Sequence, residues 1–566
     1  MAAAFSGCVS GQNRYQEFQK GFDQMMWPLN NNAVHRREET PNHMRRMLNR
    51  HDFGENQVLQ GMQRSVILRG QADNVSARSR NAYLTVFVSL SLPVILSLFL
   101  TLIEGARINA VRMQALVVTN TAADSALAEF HRELLLQYDL LMVDTSYGTN
   151  SPAVSNTESH VQNYMEQNFS AAQTLSYGSR DFTGLSVSSV DISDTRFAAD
   201  NSCTALREQI YAYMSAEDIT GTFTEILAKI DTFNGLGLDT SQWSELKSEN
   251  ETELQEALAE EEEEEESEEY SAAAAFVESQ GVSVEEAVNL YSGLNQLMSL
   301  PLLTQVLGST SSLSQVSVST DSLLSHRSIH TGDGAEAENS HGYEEADTIT
   351  FDFYVFEKCG NYLNQMDKSV LKYQIEYLLN GESSDLENLE ATLQTIFLIR
   401  LAANLITIMQ DSGRQSTAAI WGTIIAILCL HPQLESLFTT AILIIWVYME
   451  SLQDLKTLLN GGSVPLVKSS SDWGTSILSI FTGEVGTSGS DEAGLDYEDY
   501  LHILLFLENG DTKNYRLMDL MELDIRDTEG NESFQMDWCM DTFTVTANVS
   551  SSFGYSFSVV REASYE

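Results

Sequence analysis

Four groups of residues have the types and near spacing for chemistry. Asp144-Thr145-Ser146 brings a carboxylate and two hydroxyls into one short stretch, the start of a divalent-cation loop. Such a loop needs a further hydroxyl two residues on, and Gly148 stands there, so a strand end and turn is the better reading. His326, His330 and His341 fall in a Ser/Gly-rich stretch where no helical period aims their imidazoles at one metal. Glu260 to Glu266 are consecutive glutamates. Calcium needs spaced oxygen ligands around a glycine bend, so this tract reads as a solvated helix face or an irregular insert. Cys8, Cys203, Cys359, Cys429 and Cys539 contain no CxxC or other close pair, which leaves a zinc site without support. The last four are expected on the side of a membrane where disulfides form, with Cys429 read as a core residue in its apolar run. No GxSxG, HExxH, P-loop or strand-to-helix GxGxxG pattern occurs. The sequence nominates no catalytic, cofactor-binding or metal-ligating residue and no cofactor, and it is not read as an enzyme.

What the chain offers instead is elements that place it. Asn81 to Ile103, NAYLTVFVSLSLPVILSLFLTLI, holds no charged residue. As a helix it is roughly 34 Å long, enough to cross a hydrocarbon core of about 30 Å. Pro93 bends such a helix without breaking it. Arg64, Arg69, Arg78 and Arg80 precede the run, whereas Arg107 and Arg112 are offset by Glu104 and Asp124 after it. Positive charge stays inside, which places the N-terminus in the cytoplasm and residues 104–566 outside the cell membrane. Glu104-Gly105-Ala106 is a poor signal-cleavage site, so an uncleaved single-pass anchor is expected.

Beyond the anchor, Ile108, Val111, Ala115, Val118, Ala122, Ala126, Phe130, Leu134 and Tyr138 form one apolar stripe at helical spacing. One rod from Tyr83 to Tyr138 is expected, its stripe packed on its own domain or on a neighbouring copy of such a spine. The rest of the chain is acidic. The first 80 residues hold 11 Lys and Arg against 7 Asp and Glu, and the remainder 20 against 73. A surface that negative repels nucleic acid.

The domain reading follows. Residues 1–80 are a basic, largely irregular leader, with Met62 an alternative start to Met1; 81–103 are the anchor; 104–141 are the spine. Residues 142–306 form an α+β region with the acidic insert 251–269, a strand at Leu185–Ile192, and a capping box at Ser283 to Glu286 opening a helix. Residues 307–346 are a flexible linker. Residues 347–460 are a helical bundle, entered through TITFDFYVF, which reads as a strand turning helical. Within 418–449 two short apolar runs flank His431-Pro432, and a buried hairpin is preferred to a second membrane hairpin. Residues 461–566 add helices, with RLMDLMELDIR continuing DYEDYLHILLFL, and a C-terminal β-hairpin of Phe543, Val545, Ala547 and Val549 against Phe553, Tyr555, Phe557 and Val559. The fold class is α+β, helix-dominated, with a single N-terminal membrane helix.

Several stretches resemble an uncharacterised family of Gram-positive bacteria. They are LTVFVSLSLPVILSLFLTLIEGARINAVRMQ, AEFHRELLLQYDLLMVDTSYG, DNSCTALREQIYAYM, YQIEYLLNGESSDLENL, FLIRLAANLI, GGSVPLVKSSSDW, GLDYEDYLHILLFL and RLMDLMELDIR, spread over most of residues 81–540. Members are typically encoded beside tight-adherence (Tad) pilus genes, and the anchor is similar to that of TadE/TadG-like pseudopilins. The resemblance implies a surface-exposed structural or assembly component of a Tad-like pilus or of a type II/IV-related secretion apparatus. Its implied partners are the lipid bilayer and pilin-like or secretion-platform proteins, met through anchor and spine, with self-association a further option. A ligand-binding or sensory ectodomain, or an enzyme without a recognisable motif, is the alternative. Prepilin processing would need Gly before the run and Glu five residues into it. Arg80, Asn81 and Ala82 precede it, and Phe87 stands where the Glu belongs, so the anchor is expected to be retained.

Overall fold

The computed structural model describes residues 73–174, 183–216, 220–259, 268–334, 345–483, 485–486 and 494–565. Most of the leader 1–80, Glu260 to Glu266 and His341 therefore lie outside the described residues. The chain divides into two compact units, residues 1–100 and 101–566. In the first, the described element is the N-terminal part of helix α1 (Asp73–Leu127). Its apolar side chains from Leu84 to Leu100 are exposed. The hydroxyls of Ser89 and Ser97 donate back to the carbonyls of Val86 and Val94, at 2.9 and 2.8 Å.

The second unit begins with a helix seated on a sheet. The expected stripe is real: Val111, Ala115, Val118, Ala122 and Ala126 of α1 are buried. They pack against Leu185, Val190, Phe197, Phe543, Val545, Ala547, Val549, Val559 and Ala563 of the sheet in one apolar core. Small alanines let the helix axis approach the strands closely. The stripe is thus used within its own domain. The single rod to Tyr138 is corrected. α1 stops at Leu127, and α2 (Arg132–Tyr138) starts anew. His131 leaves helical geometry at ψ 114°, gives its backbone N–H to the Met142 carbonyl at 2.8 Å, and accepts the Leu134 N–H on Nδ1.

Strand β3 (Cys539–Ser551) is the centre of the sheet. On one side it pairs antiparallel with β2 (Leu185–Phe197), from Leu185↔Ser551 to Phe197↔Met540. On the other it pairs with β4 (Ser556–Ser564) and, at its start, with the two-residue β1 (Val143–Asp144). Burial alternates along β3 as the sequence pattern requires, with Phe543, Val545, Ala547 and Val549 inside. The expected C-terminal hairpin is present, and the expected strand at Leu185 is longer than read. Helix α3 (Val154–Thr174) adds Val161, Met165 and Phe169 to the same core.

The described residues between β2 and β3 are mostly helical, around a second core. α4 (Asp200–Met214), α5 (Thr220–Leu236), α6 (Gln242–Leu258) and α7 (Glu268–Ser279) lead to α8 (Val284–Val288). The Ser283–Glu286 capping box is formed, but Asn289 interrupts the helix before α9 (Leu290–Met298) and α10 (Leu302–Leu307). Residues 309–334 are largely irregular, yet Leu313, Leu323 and Leu324 are buried and Arg327 is salt-bridged. TITFDFYVF is corrected from strand to helix. It lies in α11 (Glu345–Lys358), where Ile349, Asp352 and Val355 share a buried face at helical spacing.

α12 (Gln374–Asn380) precedes the central bundle of α13 (Asp385–Gln410), α14 (Ser412–Leu428) and α15 (Glu435–Leu459). α14 and α15 form the expected hairpin around His431-Pro432. Gly422 permits their crossing, since a Cβ there would lie 2.7 Å from the Thr439 backbone nitrogen. α16 (Ser479–Thr482) and α17 (Tyr497–Leu507) follow. RLMDLMELDIR does not continue α17. Asn509 accepts the N–H groups of Asp511 and Thr512 and opens a separate α18 (Gly510–Arg526). The outcome is an α+β fold dominated by helices.

Candidate functional site

The singled-out chemical groups disperse. Asp144 accepts the backbone N–H and the hydroxyl of Ser146, at 2.8 and 2.6 Å, so its carboxylate closes its own turn. His330 stacks on Trp538 with ring centroids 3.5 Å apart, and burial holds its pKa below the ordinary imidazole value. His326 meets Ser325 instead. Among the described residues no group of three or more His, Cys, Asp or Glu side chains is placed to hold a metal. Cys203, Cys359, Cys429 and Cys539 are free thiols rather than disulfides. Burial pushes all four pKa values up, that of Cys429 to about 11, which disfavours the thiolate.

A charged cluster that the sequence reading did not single out lies inside the bundle. Arg400 on α13 and Asp454 on α15 are both fully buried, with Arg400 Nη2 2.9 Å from the carboxylate. Arg400 Nη1 also donates to the carbonyls of Pro465 and Leu466 at 3.0 Å each. Lys468 pairs with Glu450 and with the other oxygen of Asp454. Glu450 accepts the Gly474 and Thr475 N–H groups at 2.9 and 2.8 Å and the Thr475 hydroxyl at 2.7 Å. Two cations balance two anions. The cluster ties the segment after α15 across the bundle, and its saturated hydrogen bonds leave no group free for a substrate.

A second ionic tie fastens residues 309–334. Arg327 forms a bidentate pair with Asp537 at 2.6 and 2.7 Å and reaches Glu522 on α18 at 2.6 Å. Two further buried carboxyls are held by neutral donors. Glu376 is fully buried, accepts from Tyr362 N–H and Tyr497 hydroxyl, and is pushed up to about 7 by burial. Asp524 accepts from Tyr138, Gln374 and the Val370 N–H, and burial raises it to about 6. A cavity of ≈ 230 Å³ lies between α4, α11 and the start of α18, lined by Arg207, Tyr211, Phe351, Phe506, Lys513 and Asn514.

The other distinctive surface is α1. Among the described residues three helices are long and apolar enough to cross a membrane by length and composition: Tyr83–Leu127, Asp385–Gln410 and Pro432–Leu459. The apolar windows of the latter two are 72% and 67% buried within the fold, and that of the first is 0% buried. Past the charge-free run, α1 has two faces. Val111, Ala115, Val118, Ala122 and Ala126 face the sheet; Met113, Leu116 and Val117 are exposed, Met113 by 64%.

Residues 280–551 match a family of unknown function, DUF5702. The matched stretch runs from just before α8 to the last residue of β3; α1, β1 and β2 precede it. No curated protein and no solved structure matches the chain.

Proposed function

We propose that this chain is a membrane-anchored assembly component, pseudopilin-like, of a Tad-like pilus or related secretion apparatus. The supporting observation is α1: a charge-free, wholly uncovered run that continues into a face seated on an antiparallel sheet. In this reading residues 81–103 form a single span. The arginines before it hold the N-terminus in the cytoplasm, and the acidic bulk of the chain faces outward. No catalytic step is assigned.

The burial of Ala115, Ala122 and Ala126 moves the assembly surface. The alanine stripe is occupied by the chain's own sheet, so pilin-like partners must meet the opposite face, at Met113, Leu116 and Val117. Together with the anchor these give a continuous apolar edge along one helix, and Ser89, Ser91 and Ser97 allow close helix contact within the bilayer. Met113→Glu with Val117→Glu is expected to leave insertion and thermal unfolding unchanged and to abolish assembly of the apparatus in cells. Normal assembly by an inserted, folded double variant refutes this surface. The second reading, a ligand-binding ectodomain, draws on the cavity beside Arg207 and Lys513. It predicts that filling the cavity with Asn514→Trp abolishes function while assembly persists.

A further inference from the structure

The tip of the β3–β4 hairpin sits beside α1 just past the end of the charge-free run. Arg107 stacks its guanidinium over the Phe553 ring at 4.2 Å and reaches Glu104 at 3.3 Å. Arg107 is four residues beyond Ile103, a rise of about 6 Å along the helix. The headgroup layer on each side of a bilayer is about 5–8 Å deep, so Arg107 and Phe553 fall at that depth.

Three features suit this level. Phe553 is 43% exposed at a turn, where a polar residue would cost nothing in water. The turn is held firmly. Ser551 N–H donates to the Tyr555 carbonyl at 2.7 Å, Gly554 N–H to Ser551 at 2.9 Å, and Ser552 N–H to Gly184 at the start of β2 at 2.8 Å. Gly554 takes φ +86°, which permits the tight return. Finally, Thr542 to Val560 and Thr183 to Val190 contain no charged residue, in a chain of net charge −49. The strand ends around the hairpin tip thus carry no carboxylate for lipid phosphates to repel. Aromatic rings and arginine are the side chains that settle at the membrane interface.

We propose that the hairpin tip, with Phe553 at its apex and Arg107 behind it, is a lipid-docking surface that enters the headgroup layer of the bilayer holding α1. The proposal rests on the reading of residues 81–103 as a membrane span. Docking fixes the sheet against the membrane at a second point beside the helix.

The test uses the full chain in phosphatidylcholine vesicles, with and without lipid carrying a nitroxide on its headgroup. Phe553→Cys, Val560→Cys and Leu92→Cys are each labelled with an environment-sensitive fluorophore, and the wild-type chain labelled in parallel supplies the background. Val560 is an exposed position farther along β4. A probe on Phe553→Cys should emit at shorter wavelength than one on Val560→Cys and lose more than about half its emission to the headgroup nitroxide, as an interfacial side chain would. Equal, weak quenching at 553 and 560 with Leu92→Cys shielded from aqueous quencher overturns the docking surface and leaves the anchor standing. If Leu92→Cys is itself open to aqueous quencher, the span reading fails and the proposal falls with it.

Discussion

At the residue scale, the stability of the bundle hinges on charges that have no access to water. Asp454 faces both Arg400 and Lys468. Asp454→Ala strands the buried Arg400 and leaves Lys468 with Glu450 alone, and should lower unfolding stability by about 3–5 kcal/mol, read from denaturant midpoints in detergent. Lys468→Met leaves Arg400 paired with Asp454 and should cost less. The buried carboxyls Glu376 and Asp524 set a pH dependence. Their pKa values rise from ordinary values of 4.5 and 3.8 to about 7 and about 6 in the fold. A raised carboxyl contributes stability that is complete below its unfolded pKa and is lost as pH rises through the folded value. The melting temperature should therefore be higher at pH 6 than at pH 8, and Glu376→Gln should narrow the gap. Asp411 works the other way, held down to about 2 by the Ser470 hydroxyl and the Arg414 backbone, but its contribution is constant across that window. The sequence exposed Arg400 and Lys468 only as lone charges in apolar surroundings. Their partner Asp454 is remote in the chain, and nothing in local spacing announces such a pair.

At the element scale, periodicity was a sound guide wherever an element serves one face. The α1 stripe and the alternation in β3 were legible because burial follows the local period, and the α14–α15 hairpin because two apolar runs flank His431-Pro432. It misled where a side chain's partner decides the structure. TITFDFYVF alternates like a strand, yet Asp352 faces Lys513 on α18 at 2.8 Å, and only a helix brings it onto one face with Ile349 and Val355. α1 stops at Leu127 because His131 is drawn to Met142, a contact no period reveals. The hairpin supplies an element-scale prediction. Gly422→Ala places a Cβ 2.3 Å from Thr439 Oγ1 and 2.7 Å from its backbone nitrogen. The helices must part, and stability should fall by about 1–3 kcal/mol by thermal melting. Thr439→Ala should not restore it, since the backbone atom remains.

At the scale of the whole molecule, α1 binds the chain's two tasks together. One stretch of it is uncovered and charge-free, and the next completes the sheet's core. A chain beginning at Arg107 keeps Val111 to Ala126 and should disperse without detergent, with strand signal in circular dichroism. A chain beginning at Arg132 leaves Phe543, Val545 and Ala547 without their cover and should aggregate on size-exclusion chromatography. Persistent association of the Arg107 chain with vesicles beyond what the hairpin tip accounts for, tested with Phe553→Ser, would implicate α14 and α15 in the membrane after all.

β2 and β3 are neighbours in the sheet, yet the entire helical body separates them in sequence. The order of synthesis follows from this. The ribosome makes α1 and β2 long before β3, so the layer under the alanine face of α1 lacks its central strand until β3 emerges. Contacts between segments this remote carry a large loop-closure cost and form slowly. The helical body can settle on its own core in that interval. A nascent chain halted before Cys539 would hold the helical body beside an open sheet layer, which β3 and β4 then close.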